Sequence, residues 1–393
     1  MPFLPSLTNG MWRRFQGVSN KSYSLTHVRW SFFDNLPYFP FFYRSSQGGI
    51  YYPSAGEGWY WKPEVDAAIR AWNDGKLSSK EWEGNIELLE SWEFQPYSNV
   101  KPFAFIPGLF QLRKQWKESG NAAEKALKFT INSIYGRLAQ SIGGSEEHKP
   151  PYHNIGYAGY ITSYIRAQLF DAVMQAPEQV IMMTIDGIHS TKQLDLPIGN
   201  GLGEWEVEEF DGVVVAQSGI YWGLKKLGRE PTEQDRQEEF FHERYLQYNG
   251  EWFKASPHYQ GYNRGTLTPT AVIDAWKRHN NRGEITVPST RFVTLGSAMA
   301  NEDLYPHLGT WRTIDRTLEL HPTGKRLNEE SFNKTQPYSK LVRTVASTPH
   351  GVILDEMSRK FRLRWEDSDE PDYGTIDNID HALYEQELAD SEL

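Results

Sequence analysis

Apolar positions along the chain change their spacing several times, and each change marks an element. Residues 1–60 read as turns and short strands. Ser24-Leu25-Thr26-His27-Val28-Arg29-Trp30-Ser31-Phe32-Phe33 is β-rich and stops at the turn Asp34-Asn35-Leu36-Pro37; Gly48-Gly49-Ile50-Tyr51-Tyr52-Pro53 suggests a hairpin. Within 63–94, Pro63 near a helix start and Val65, Ala68, Ile69 and Trp72 at helical spacing predict a helix, and Ser79 caps a second start at Lys80-Glu81-Trp82. A mixed apolar run over 84–95 suits a strand. Residues 107–140 predict two antiparallel helices joined at Glu118-Ser119-Gly120-Asn121, and 157–175 predict another helix. Val180-Ile181-Met182-Met183 is an apolar strand, followed by a turn at Asp186-Gly187 and a second strand. Strands continue over 204–222, through Val213-Val214-Val215 and Ser218-Gly219-Ile220-Tyr221-Trp222. Residues 224–258 are charged and read as partly helical, an insertion or lobe boundary. Thr268-Pro269 then opens a helix through Ile273 and Trp276, and short strands follow it. The mixture is α+β, with no internal repeat, no low-complexity linker and no run apolar and long enough to span a bilayer.

One helical face breaks the usual pattern. In Lys128-Phe129-Thr130-Ile131-Asn132-Ser133-Ile134-Tyr135-Gly136, the residues Lys128, Asn132 and Tyr135 fall at i, i+4 and i+7. A core face would carry Leu, Ile or Val there. Here Ile131 and Ile134 lie to the side as anchors, and Gly136 permits close approach of a backbone or ligand. A cation, an amide and a flat aromatic in line suit a ligand with a polyphosphate, a sugar and a base; an amphipathic surface helix ending in glycine is the plainer reading. Charge sharpens the choice. The net charge of −10 is concentrated at the end: residues 366–393 hold 11 Asp and Glu and no Lys or Arg. Setting those 11 aside from the 51 acidic residues leaves 40 against 41 Lys and Arg, so the body can present a local basic groove. With no cysteine, disulfides and thiolate metal sites are excluded, which fits a reducing compartment.

Lys-x-x-x-Asn-Ser-x-Tyr-Gly, five fixed positions at Lys128, Asn132, Ser133, Tyr135 and Gly136, resembles the fingers motif of family B (alpha-like) DNA polymerases. The resemblance implies that Lys128 contacts the triphosphate of an incoming dNTP, that Asn132 and Tyr135 shape its pocket, and that Arg113, Lys114 and Lys117 on the first helix and Lys125 on the second add cationic grip. It also implies that helix 157–175 precedes a catalytic palm hairpin. The family hairpin carries Asp-Thr-Asp, and two-metal phosphoryl transfer requires carboxylates holding two divalent ions about 4 Å apart, Mg2+ being suited to hard oxygen ligands. In this chain Asp186 matches the second Asp and is the expected metal ligand and catalytic residue, Thr184 stands in place of the first, and Gly187 replaces a Ser. His189 is expected to be structural. Tyr221 matches a primer-contacting position whose accompanying Lys is absent, with Gln217 and Gly219 nearby; Arg264-Gly265 resembles the Lys/Arg-Gly element that opens the thumb, with Thr266 in place of its aromatic. Arg291, Arg312, Arg316, Lys325 and Arg326 are candidates for gripping duplex phosphates.

The implied architecture is a right hand: a palm-associated segment at 1–100, fingers at 101–145, palm at 146–225, thumb at 226–333, and an extension with an acidic tail at 334–393. The first palm motif, Asp-x-x-Ser-Leu-Tyr-Pro, and the exonuclease domain are not recognisable; Asp34-Asn35-Leu36-Pro37-Tyr38-Phe39-Pro40 has only its outline. The start reads like a chain continuing just after that motif. The expectation is therefore a split DNA polymerase of viral, phage or mobile-element type. It would act on primer-template DNA in the cytoplasm, the host's if the source is viral, completed by a separate N-terminal polypeptide that carries the exonuclease and the other palm Asp. The alternative is a catalytically silent relative that binds DNA or scaffolds a replisome. Thr184 and the missing motif favour the second reading, the Lys128-Asn132-Tyr135 set and Asp186 the first.

Overall fold

The computed structural model describes residues 3–17, 19–32, 36–44, 50–79, 84–140, 150, 152–184, 186–217, 219–237, 244–259, 267–278 and 284–320, and the backbone of a strand at Gly351–Leu363. The chain is a mixed α+β protein with antiparallel sheets, forming two compact units, Met1–Val207 and Glu208–Pro322. Among the described residues no helix is long and apolar enough to cross a membrane.

The first unit contains β1 (Gly10–Gln16), β2 (Ser24–Ser31), β3 (Tyr43–Arg44), β4 (Ile50–Tyr51), β5 (Ala55–Trp61), α1 (Lys62–Asn73), β6 (Asn85–Pro96), α2 (Ile106–Glu118), α3 (Ala123–Ala139), α4 (Ile155–Val173), β7 (Val180–Met183) and β8 (Gly187–Ser190). Strands β1, β6, β2 and β5 lie side by side in that order, all neighbours antiparallel. Alternation along β2 decides the faces. Val28 and Trp30 point inward; Arg29 between them is exposed and binds Glu57 at 2.8 Å and Glu87 at 2.9 Å. The inward set, with Phe39, Phe41 and Tyr60, packs on Val65, Ala68 and Ala71 of α1, on Ala167 and Phe170 of α4 and on Met174 just past its end. The expected hairpin near residue 50 is present as β3–β4 (Tyr43↔Tyr51, Arg44↔Ile50). The second helix start expected at Lys80-Glu81-Trp82 lies outside the described residues.

Helix α4 is the hub of this unit. Asn154 caps it, its side chain accepting from the Tyr157 N–H at 3.1 Å. It is buried on several sides, as an apolar helix requires. Tyr157, Ala158, Tyr160 and Ile161 join one cluster with Phe103, Ile106 and Leu138; Leu169, Ala172 and Val173 join another with Ile188, Leu194 and Trp205. Gly159 permits that closeness: a Cβ there would stand 2.7 Å from Trp61 Nε1.

The second unit takes up β9 (Trp205–Gln217), which begins just before the boundary, then β10 (Ile220–Lys226), α5 (Glu233–Gln237), β11 (Tyr245–Tyr248), β12 (Glu251–Tyr259), α6 (Pro269–Arg278), β13 (Glu284–Phe292), α7 (Leu295–Ala300) and β14 (Trp311–Glu319). Strands run in the order β11-β12-β10-β9, and β13 pairs with β14 from Glu284↔Glu319 to Phe292↔Trp311. Trp222, Phe253, Val272, Ile273, Trp276, Val287 and Leu318 share one core, where Trp276 Nε1 donates to the Leu320 carbonyl at 2.8 Å. Residues 224–258 are helical in part, as expected: among the described residues α5 is helical, and most of the rest is the β11–β12 hairpin, turning at Asn249 (φ 51°) and Gly250 (φ 83°). Two successive positive φ values are what a tight hairpin turn demands, and Asn-Gly supplies them at least cost.

Candidate nucleotide and catalytic site

Helices α2 and α3 form the expected antiparallel hairpin. Pro107 sits in the first turn of α2, where its missing N–H costs little. The joining turn uses Gly120 at φ 67°, and the Asn121 side chain accepts from the Ala123 N–H at 3.0 Å to start α3. The hairpin docks through α3, whose Ile134 and Leu138 share a cluster with Tyr157, Ala158 and Ile161 of α4. Ile131 is buried and Ile134 half-buried, so both serve as the anchors the periodicity implies.

The cations of the hairpin divide by exposure. Lys117 and Lys125 are exposed and Lys114 is half-buried. Lys128 is buried, 8% exposed, as is Ile131, while Asn132 and Tyr135 are exposed, Tyr135 at 39%. Gly136 leaves open space: a Cβ there would meet nothing within 4 Å, so no neighbour in the chain demands a glycine. Arg113 departs from the expectation of a phosphate contact. It is 2% exposed, its Nε donates to Glu124 Oε1 at 2.7 Å, and its Nη2 lies 2.7 Å from the same oxygen. A guanidinium engaged inside the hairpin is not presented to a ligand at its surface.

The β7–β8 hairpin follows α4 as expected, with Met182↔His189 and Met183↔Ile188 paired. Ile188 packs on Ala172 and Val173, so the hairpin, like α3, is built on α4. His189 is fully buried, in keeping with a structural residue. Asp186 is half-buried at the bend. Thr184 does not act as a second acid: its N–H (2.8 Å) and hydroxyl (3.2 Å) both donate to the Gly187 carbonyl and close the turn. Among the described residues no group of three or more His, Cys, Asp or Glu is placed to hold a metal ion. One carboxylate does not fit a pair of Mg2+ ions, each of which wants near-octahedral oxygen coordination. Asp34, the outline candidate for a second ligand, lies outside the described residues, as do Arg264, Gly265, Lys325 and Arg326. Tyr221 is buried in β10 and stacked on His258, centroids 4.5 Å apart at 18°, so it packs the sheet instead of presenting an exposed ring.

One constellation was not foreseen from the residue pattern. Arg166 of α4 donates from Nε to Glu64 Oε1 of α1 at 2.6 Å, and its guanidinium carbon lies 4.3 Å from the centroid of the Phe42 ring. Glu64 is 2% exposed. Burial alone would lower the Arg166 pKa; Glu64 outweighs it, with Tyr52 and Tyr135 adding their fields, and the net direction is up. The available signal was a lone carboxylate, Glu64, set against the apolar positions Val65 and Ala68.

No family model matches the chain. Over 185 residues it is 25% identical to the primer-independent DNA polymerase PolB of Escherichia coli, an alignment covering 43% of this chain and 21% of that protein. The chain therefore spans about a fifth of the relative's length. Among solved structures it resembles phi29 DNA polymerase complexed with primer-template DNA, with a TM-score of 0.43 and 14% identity, covering 79% of this chain and 53% of that one. Over part of its length, the chain is a distant relative of the family B DNA polymerases.

Proposed function

We propose that the chain is the nucleotide-binding and palm portion of a template-directed DNA polymerase, with fingers at 101–145, palm at 146–225 and thumb at 226–333. The observation that carries this reading is the common footing of two motifs on α4. The α2–α3 hairpin bears Lys128, Asn132 and Tyr135, and the β7–β8 hairpin bears Asp186 at its bend. The distant relationship to PolB supports it. In this reading Lys128 binds the triphosphate of a dNTP, flanked by Lys114, Lys117 and Lys125. Asn132 and the face of Tyr135 shape the pocket for sugar and base, and the open space at Gly136 admits the ligand. Asp186 is one ligand of a Mg2+ site, and its companion carboxylate comes from a complementary polypeptide. Neither residue at the β7–β8 bend other than Asp186 offers a charged oxygen, so no catalytic step is assigned to this chain alone.

A DNA-binding protein without catalysis is the second reading, favoured by the engagement of Thr184 within its own turn. Primer extension separates the two. The chain is mixed with primer-template DNA, dNTPs and Mg2+, with and without a polypeptide that carries a palm Asp-x-x-Ser-Leu-Tyr-Pro motif. Extension that depends on that polypeptide and on Asp186 upholds the first reading; its absence under both conditions, with duplex binding retained, upholds the second.

A further inference from the structure

We propose that the far end of the β13–β14 ribbon is a docking knob for another protein, one presenting an apolar groove edged by lysine or arginine. The knob lies wholly within the second unit.

Strands β13 and β14 pair out to Phe292↔Trp311, and residues 293–310, with α7, close the end beyond them. The base of the ribbon is anchored, since Val287 and Leu318 belong to the core of the second unit. Phe292 lies five residues past Val287, about 17 Å further along the strand. At that end six large side chains, Phe292, Leu295, Met299, Tyr305, Leu308 and Trp311, are each between 42% and 70% exposed. The connection that presents them is tightly bonded. The Val293 N–H donates to the Thr310 carbonyl and the Gly309 N–H to the Val293 carbonyl, each at 3.0 Å. Thr294 caps α7, its Oγ1 accepting from the Ser297 N–H at 3.2 Å, and Asn301 Oδ1 accepts from the Asp303 N–H at 3.1 Å. What this scaffold buries is small: Val293 and Ala298. A connection shaped only to close would turn its largest apolar residues inward, because their burial contributes most. Here the order is reversed, and a cluster of large exposed apolar residues on a fixed backbone marks an interaction surface.

Charge selects the occupant. From Phe292 to Trp311 the sequence has no Lys or Arg, and its charged residues are Glu302 and Asp303, both exposed in the turn between Met299 and Tyr305. DNA phosphates, anionic lipid headgroups, the acidic tail at 366–393 and a second copy of the knob would all bring negative charge against them. A polypeptide with apolar anchors and a basic rim is complementary in both respects. The register pair Arg291↔Arg312, candidates for duplex phosphates, stands one step nearer the base, so a DNA contact and a protein contact would follow one another along the ribbon.

The test uses the full-length chain and a fluorescein-labelled amphipathic helical peptide of leucine and lysine, with a leucine–glutamate counterpart. Primer-template duplex, phosphatidylcholine vesicles and sedimentation velocity are run alongside. One variant removes apolar anchors, Leu295→Ser with Met299→Ser; a second removes charge, Glu302→Gln with Asp303→Asn. All four side chains are exposed, so the fold is expected to survive, and circular dichroism checks it. The apolar variant is expected to bind the leucine–lysine peptide about tenfold or more weakly than the parent, and the charge variant about threefold more weakly. The leucine–glutamate peptide should bind the parent at least about tenfold more weakly than its basic counterpart, and duplex affinity should be the same in all three proteins. On a chain of net charge −10, a basic peptide held anywhere else is insensitive to the knob variants, so equal binding by parent and variants overturns the proposal. Loss of duplex or vesicle binding in the apolar variant overturns it as well and makes the knob a DNA or membrane contact. A dimer that the apolar variant dissociates overturns it in favour of a contact between copies.

Discussion

Replacing Lys128 by methionine should weaken dNTP binding far more than replacing Lys117 or Lys125 by methionine, and exposure sets the ratio. Lys128 is 8% exposed, whereas Lys117 and Lys125 stand in solvent. At a separation of 4 Å two unit charges interact by about 1 kcal/mol in water but about 4 kcal/mol at the effective dielectric of a partly buried site. Desolvation takes back part of that, so a charge-assisted contact to phosphate contributes about 1.5–3 kcal/mol net. That range corresponds to a loss of about 10- to 150-fold in affinity for Lys128→Met. An exposed lysine meeting the same phosphate contributes about 0.2–1 kcal/mol, a loss of no more than about fivefold. Methionine is the informative replacement, because it keeps an unbranched stem of similar length beside Ile131 and removes only the charge. The assay is a nucleotide titration on primer-template DNA with Mg2+, with thermal unfolding as a control for the fold. Unchanged affinity in Lys128→Met, or a larger loss at Lys125 than at Lys128, would refute the reasoning.

Four further outcomes are expected. The isolated chain should show no appreciable primer extension; a partner supplying a palm Asp should restore it, and Asp186→Asn should remove the restored activity, whereas robust extension by the chain alone would sink the shared-site proposal. Duplex binding should fall steeply as salt rises and be indifferent to sequence, and deleting residues 366–393, with their 11 acidic side chains, should strengthen it at low salt; a salt-independent affinity would count against a DNA groove. Arg166→Met should cost about 3–5 kcal/mol in urea unfolding by leaving the Glu64 carboxylate buried and unpaired, with Arg166→Met/Glu64→Leu recovering much of it; a single variant as stable as the parent would contradict the pairing. Burial raises Tyr38 and Tyr160 to about 12, and raises Tyr23 and Tyr60 as well. Since an unfolded phenol ionises near pH ~10, the stability Tyr38 and Tyr160 contribute is complete below that pH and lost as pH rises through about 12, while that of Tyr23 and Tyr60 is lost at higher pH still; exposed tyrosines such as Tyr97 ionise first, and a later step in tyrosinate absorbance should coincide with loss of circular dichroism, whereas ionisation of all the tyrosines near pH ~10 with the fold intact would disprove it.

Much of the architecture was legible because it rests on local rules. The Ser-Gly-Asn break between two cationic helical runs announced the α2–α3 hairpin, and Asp186-Gly187 between apolar runs announced β7–β8. Asn249-Gly250 carries an equally clear turn signal for β11–β12, set after a charged run whose composition suits helix as well as loop. Burial was less legible, and for a physical reason. Helical spacing says which residues share a face, not what that face meets. Lys128 and Arg113 look alike as cations on facing helices, and helical spacing alone does not say that both are buried or that Glu124 reaches across from α3 to Arg113. Tyr221 illustrates the same limit in a strand. Its neighbours Ile220 and Trp222 are buried on the opposite face, so β10 is covered on both sides and an aromatic there becomes core.

The buried charges of the first unit follow one logic. Arg113–Glu124 joins α2 to α3, and Arg166–Glu64 joins α4 to α1; in each pair one partner is 2% exposed. Such pairs add little net stability over apolar residues of similar size, since desolvation offsets most of the attraction. What they add is a penalty for any arrangement in which the partners separate. Leu, Ile and Phe at the same places would hold the helices together while permitting small slides, because dispersion is undirected. A guanidinium on a carboxylate resists a slide of even an ångström or so, since hydrogen-bond strength falls steeply with geometry. Both pairs act on elements that lead to the proposed pocket: α3 carries Lys128, Asn132 and Tyr135, and α4 supports both α3 and the Asp186 hairpin. Nucleotidyl transfer is sensitive to such displacements, because positioning and electrostatics supply most of its acceleration. A fold that binds DNA only through surface charge has less use for directional pairs of this kind beneath a nucleotide face. On this argument the placement of the two pairs favours the polymerase reading over the silent one.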